Sequence, residues 1–180
     1  MRTKIFSILC AGLVAACSSP TTKDYAANTP TLDLREYLNG KLVAKGILFD
    51  YSGKVDLAFH VDITGSWDGN KGTLEEHFRY SDGRTEERTW YIAFTDDHHF
   101  TATAADVIGT ARGSQHGNSV NMRYILNATR PNGERITLSM DDWMYLLDDD
   151  TLINRTAMRK YGIKVGELVI SFERKATHEK

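Results

Sequence analysis

Residues 119–147 read SVNMRYILNATRPNGERITLSMDDWMYLL, two long runs of alternating apolar and polar residues joined by Pro131-Asn132-Gly133. Alternation is the period of a β-strand. In the first run Val120, Met122, Tyr124, Leu126 and Ala128 share one face, and in the second Ile136, Leu138, Met140, Met144 and Leu146 do the same. Asn-Gly between two such runs is a strong hairpin signal. One residue breaks the pattern. Asp142 falls on the apolar face between Met140 and Met144, where an unpaired carboxylate is costly, so a partner for it is expected.

The same alternation extends outward in both directions. Lys41–Tyr51 and Lys54–Thr64 flank Ser52-Gly53; Lys71–Tyr80 and Thr85–Thr95 flank Ser81-Asp82-Gly83. His99–Ala105 and Val107–Ser114 lead into the hairpin, and Thr151–Lys160 and Lys164–Arg174 close the chain around Gly162. About ten strands joined by tight turns make neighbours in sequence neighbours in space. A long antiparallel meander has two edges to hide, and closure into an up-and-down barrel hides both. The expected fold is therefore all-β, a single antiparallel up-and-down barrel of about 8–10 strands spanning 32–176. Leu32–Leu38 forms a short helix capping one end, and 177–180 is a frayed tail. A flattened sandwich is the competing architecture. Strands of about ten residues, roughly 33 Å long, favour the barrel.

The first residues have a different character. Arg2 and Lys4 precede an apolar stretch, Ile5–Leu13, too short to span a bilayer as a mature helix, which reads as a signal peptide over 1–16. Leu13-Val14-Ala15-Ala16-Cys17 resembles the lipobox of bacterial lipoproteins, which implies a lipidated Cys17 at the mature N-terminus. Ser18 after that cysteine, by resemblance to their sorting rules, implies the periplasmic face of the outer membrane. Cys10 would leave with the signal peptide, so no thiol remains for a disulfide. Ser18–Thr31 is polar and proline-punctuated, which predicts a flexible tether with a reach on the order of 20 Å. Loss of Arg2 and Lys4 moves the formal charge from −2 to −4, which gives no basic surplus for nucleic acid.

Several segments in order carry a family likeness: Tyr37-Leu38-Asn39-Gly40, Trp67-Asp68-Gly69, Leu74-Glu75-Glu76-His77-Phe78, Ala105-Asp106-Val107-Ile108-Gly109, Asp141-Asp142-Trp143-Met144-Tyr145-Leu146 and Thr151-Leu152-Ile153-Asn154-Arg155. Over roughly Leu34 to Lys175 the chain resembles DUF3833, bacterial proteins of unknown function whose members look like lipoproteins. The resemblance implies a lipocalin-like barrel. It carries no activity and no catalytic residue to transfer.

Polar residues that share the apolar faces are the candidate site. Glu76 accompanies Leu74, Phe78 and Tyr80; Glu86 and Arg88 accompany Trp90, Ile92 and Phe94; Asp142 joins from the hairpin. A salt-bridge cluster that fixes register accounts for them structurally. Their functional reading is that Arg88, with Tyr124, holds the carboxylate or phosphate head of a lipid whose tail lies along Leu, Met and Phe side chains. Arg155 stacks over Trp143 or Trp67 to close a barrel end, or lines the cavity; alternation along Thr151–Lys160 does not say which face points inward.

The acidic clusters lack calcium-loop spacing, His98-His99 point apart on an extended chain, and no nucleotide or hydrolase motif is present, so neither a metal nor a cofactor is expected. The function expected is a membrane-anchored periplasmic lipoprotein that binds a hydrophobic small molecule, a fatty acid or phospholipid-derived species. The alternatives are a lipid isomerase or cyclase, with Glu76 or Asp142 as base and Arg88 or Tyr124 stabilising charge, and a ligand-free assembly lipoprotein.

Overall fold

A computed structural model describes residues 19–130 and 133–174. The signal peptide, Cys17 and Ser18, the Pro131-Asn132 turn and the 177–180 tail lie outside the described residues. Ten strands alternate as the sequence predicts: β1 (Gly40–Asp50), β2 (Val55–Asp68), β3 (Lys71–Tyr80), β4 (Thr85–Phe94), β5 (His99–Thr103), β6 (Val107–His116), β7 (Ser119–Thr129), β8 (Arg135–Leu146), β9 (Thr151–Lys160) and β10 (Ile163–Arg174). Each pairs antiparallel with the next, and β1 pairs with β10 from Leu42↔Arg174 to Asp50↔Gly166. The sheet is thus a closed up-and-down barrel with no free edge, as expected, and the sandwich is excluded. Among the described residues no helix is long and apolar enough to cross a membrane.

Three strand glycines are covered by a ring from an adjacent strand. Phe59 lies over Gly46, Phe100 over Gly113 and Trp67 over Gly72, each pair directly opposite in register. A Cβ added at Gly46 or Gly113 would sit 2.1 Å from the ring. The missing side chain is what lets the ring lie flat against the backbone.

One end of the barrel is plugged by α1 (Leu34–Tyr37), whose flanking Leu32 and Leu38 and own Leu34 and Tyr37 are all buried. Asp33 caps the helix by accepting from the Arg35 amide at 2.8 Å. The Leu34 amide donates to Gln115 Oε1 at 3.1 Å, Arg35 Nη1 to Asn70 Oδ1 at 3.0 Å, and Tyr37 Oη to the carbonyls of Asp150 and Phe172 at 2.8 and 3.1 Å. The plug is therefore tied to two turns, to β6 and to the last strand.

The stretch before α1 differs from the tether its composition predicts. Thr22–Tyr25 is a 3-10 turn fastened to the plugged end of the barrel. Thr22 is 3% exposed, with its hydroxyl 2.9 Å from Ser114 Oγ and 3.0 Å from His116 Nδ1. Tyr25 packs edge-on against Trp143 and Tyr145, and the Leu32 amide donates to the Gly117 carbonyl at 2.8 Å. Polar composition hid this because the partners of the hydroxyl and the ring are on the barrel, ninety residues and more away in sequence.

Candidate functional site

The interior faces read from alternation are the faces that point inward, and they enclose a cavity of about 1200 Å³. Its floor is Leu34 and Leu38 of the plug. Its mouth lies at the opposite end, where Asp50, Ser81, Asp82, Asp106, Arg130 and Lys160 stand on the turns and strand ends. One wall is aromatic, with Phe59, Phe78 and Tyr80 at ring-centroid separations of 5.8–5.9 Å. The facing wall, from β7 to β10, is Leu126, Leu138, Met140, Met158 and Leu168, which are unbranched or flexible side chains that adapt to an apolar guest.

About midway down, a polar belt crosses this cavity. Glu76 and Arg88 sit directly opposite on β3 and β4, and Arg88 Nε donates to Glu76 Oε2 at 2.7 Å. Arg88 lies 5.2 Å from the rings of both Phe78 and Trp90, and its Nη1 is 3.6 Å from Asp106 Oδ2. Trp90 meets Tyr124 edge-to-face at 5.4 Å from across β5 and β6. Tyr124 Oη donates to Asp142 Oδ2 at 2.9 Å, and Asn154 Nδ2 and the Thr156 hydroxyl donate to Asp142 Oδ1. The misfit carboxyl is thus satisfied by two neighbouring strands.

Burial governs the protonation of the belt. It pushes the Asp142 carboxyl above its ordinary range, against the hydrogen bonds from Thr156, Asn154 and Tyr124. It also raises Glu76, against the opposing pull of Arg88, and holds the Tyr124 hydroxyl well above its ordinary value with help from the Asp142 charge. For Arg88 burial works against the charge, but Glu76, Tyr124 and Asp106 outweigh it, so the guanidinium stays protonated.

Of the six candidate residues, Glu76, Arg88, Trp90, Tyr124 and Asp142 are brought together in this belt. Arg155 is not among them. It points outward beside Trp143, where its Nε donates to Glu167 Oε1 at 2.6 Å, so it neither lines the cavity nor closes an end. The polar inward residues of that strand are Asn154 and Thr156, both almost fully buried, and Thr156 was missed because a threonine gives no sign of its face. Asp106 was also missed as a site residue, because it lies in the β5–β6 turn, where alternation carries no information.

Two features bear on chemistry. Asp142 and Glu76 are only 6% and 7% exposed; the two oxygens of Asp142 take three hydrogen bonds, and Glu76 Oε2 takes that of Arg88 Nε. Arg88, by contrast, has its side chain 21% exposed. Guanidinium carries five N–H donors, and only Nε is engaged in a hydrogen bond among the described residues. Elsewhere His98 stacks on His116 at 4.2 Å and His99 pairs with Asp96, and among the described residues no three His, Cys, Asp or Glu side chains converge as a metal site.

A family model described as a protein of unknown function (DUF3833) matches residues 11–174. No curated protein matches the chain. Among solved structures, the S-type phycobiliprotein lyase CPES from Guillardia theta is similar at 5% identity, a TM-score of 0.58 and coverage of 88% of this chain and 100% of that one. Rv2717c from M. tuberculosis is similar at 16% identity and a TM-score of 0.54, over 82% of this chain and 99% of that one. At these identities the likeness is one of fold.

Proposed function

We propose, from the premise that this chain belongs to DUF3833, a family of proteins of unknown function, that the barrel is a carrier for an apolar small molecule of fatty-acyl or phospholipid-derived chemistry. We further propose that lipidation of Cys17 holds it on the periplasmic face of the outer membrane. The observation that carries the first reading is the open cavity of about 1200 Å³ between an aromatic and an aliphatic wall. Ligand sites are typically apolar concavities of about 300–1,000 Å³ with a few placed polar groups, and this one is amply large. A ligand that covers those walls gains roughly 25 cal/mol for each Å² of apolar surface removed from water. The membrane reading rests on Arg2, Lys4, the apolar run and the Leu13–Cys17 box.

Native mass spectrometry with lipid extraction, on full chain purified from membranes, tests the carrier. The expected result is a stoichiometric apolar passenger that is lost or reduced at least tenfold when Tyr124 or Arg88 is replaced by Ala. A protein that is empty as isolated and stays empty with added fatty acids, acyl esters and phospholipids would refute carriage. Release of a Cys17→Ser variant from the membrane fraction is the expected outcome for the anchor.

A further inference from the structure

The cation of the belt is not a free one. Arg88 gives Nε to Glu76 at 2.7 Å and has Asp106 at 3.6 Å from Nη1, while Asp142 stands across the belt. Three carboxyl groups thus face one guanidinium in this layer of the cavity. A carboxylate or phosphate ligand entering the belt would add negative charge where Arg88, the belt's cation, is already paired with Glu76, in a low-dielectric interior where like charges repel strongly. Yet the guanidinium is short of acceptors: its Nη groups make no hydrogen bond among the described residues, and the side chain keeps a face open to the cavity. Phe78 and Trp90 on either side of it, each at 5.2 Å, fix its plane. A group with oxygen lone pairs and no charge meets both conditions, because it takes the unused N–H bonds without adding to the acid surplus.

We propose that the belt recognises an uncharged carbonyl group, as in an acyl ester or acyl amide, donated to by the Nη atoms of Arg88, and that Glu76 excludes the corresponding free carboxylate. This deepens the carrier reading and rests on it. It also departs from the expectation that Arg88 holds an anionic head.

The test is a displacement series on the full chain, delipidated and loaded with the neutral fluorophore N-phenyl-1-naphthylamine at pH 8. Decanamide, methyl decanoate, decanoate and decane share one chain length and differ only at the end. The expected order is the amide and ester at least tenfold tighter than decanoate and several-fold tighter than decane. Glu76→Gln keeps an acceptor for Arg88 Nε and removes the opposing charge, so it is expected to raise decanoate affinity about tenfold relative to that of the amide. Should Glu76→Gln fail to fold, Asp106→Asn removes the second opposing charge and is expected to shift decanoate in the same direction. Decanoate binding as tightly as the amide to the unaltered protein, or a folded Glu76→Gln variant with unchanged decanoate affinity, overturns the inference and leaves carriage standing. Failure of the fluorophore and of every member of the series to bind overturns both.

Discussion

Asp142 lies on the inward face of β8 between methionines, and its carboxyl is reached by donors from both neighbouring strands: Tyr124 on β7, Asn154 and Thr156 on β9. Leucine at this position would leave those three donors unpaired in the interior, so Asp142→Leu is expected to cost about 3 kcal/mol in urea unfolding. Asparagine keeps an oxygen for Thr156 and Asn154 and removes the titration. Because burial raises the folded carboxyl above its ordinary value of 3.8, the native state holds this proton more tightly than the unfolded chain does. The contribution of Asp142 to stability is then greatest below about pH 4 and falls as pH rises through its raised value. Asp142→Asn should gain on the unaltered protein as unfolding is repeated from pH 4 to pH 8, and a pH-independent difference would contradict the raised carboxyl. The need for a partner was visible in the sequence, since Asp142 broke the alternation. The partners were not, because alternation places a residue on a face without saying what stands opposite it.

Strands carry their period in the chain, which is why the elements, their order and the barrel were legible from residues 41–174 taken run by run. β9 was the exception in orientation. Its inward residues include Asn154 and Thr156 and its outward ones Ile153 and Arg155, so both faces look equally polar until Asp142 is known to need donors. The ring-over-glycine contacts were equally silent, since a glycine inside a strand does not announce which ring covers it. At Gly113 the ring is Phe100, 2.1 Å from where a Cβ would stand. Gly113→Ala is expected to lose about 1–3 kcal/mol, the usual cost of forcing extra volume into a packed interior. Shortening the ring should relieve the clash. In a double-mutant cycle by thermal unfolding, Gly113→Ala is therefore expected to cost less in a Phe100→Leu background than alone, and additive losses would mean that the ring is not what the added methyl meets. The N-terminal stretch escaped for a different reason: it has no period, and its fastening depends on Thr22 and Tyr25 finding Ser114, His116, Trp143 and Tyr145 on the finished barrel.

For the whole molecule, that fastening decides which way the cavity looks. Thr22 is held at the plugged end, and only five residue steps separate it from Cys17, a span of at most about 18 Å when fully extended. The barrel itself, with most of its strands ten to twelve residues long and tilted around its axis, stands about 25 Å tall. Were the protein anchored through Cys17, it would keep its plugged end beside the leaflet and present its mouth, with the exposed Tyr51, Tyr161 and Ile163 on its turns and strand ends, away from it. Cargo would then be exchanged with the aqueous side rather than drawn directly from the anchoring bilayer. The expected outcome in lipidated protein reconstituted into vesicles is strong quenching by bilayer spin labels of a fluorophore placed at Asp149, on the β8–β9 turn, and weak quenching of one at Tyr161. Inserting a flexible segment of about fifteen residues between Ser19 and Thr22 lengthens the leash beyond the barrel height and should bring the two signals together. Strong quenching at Tyr161 with the native spacing would instead place the mouth on the membrane, and would mean that the contacts of Thr22 and Tyr25 open when the lipid is attached.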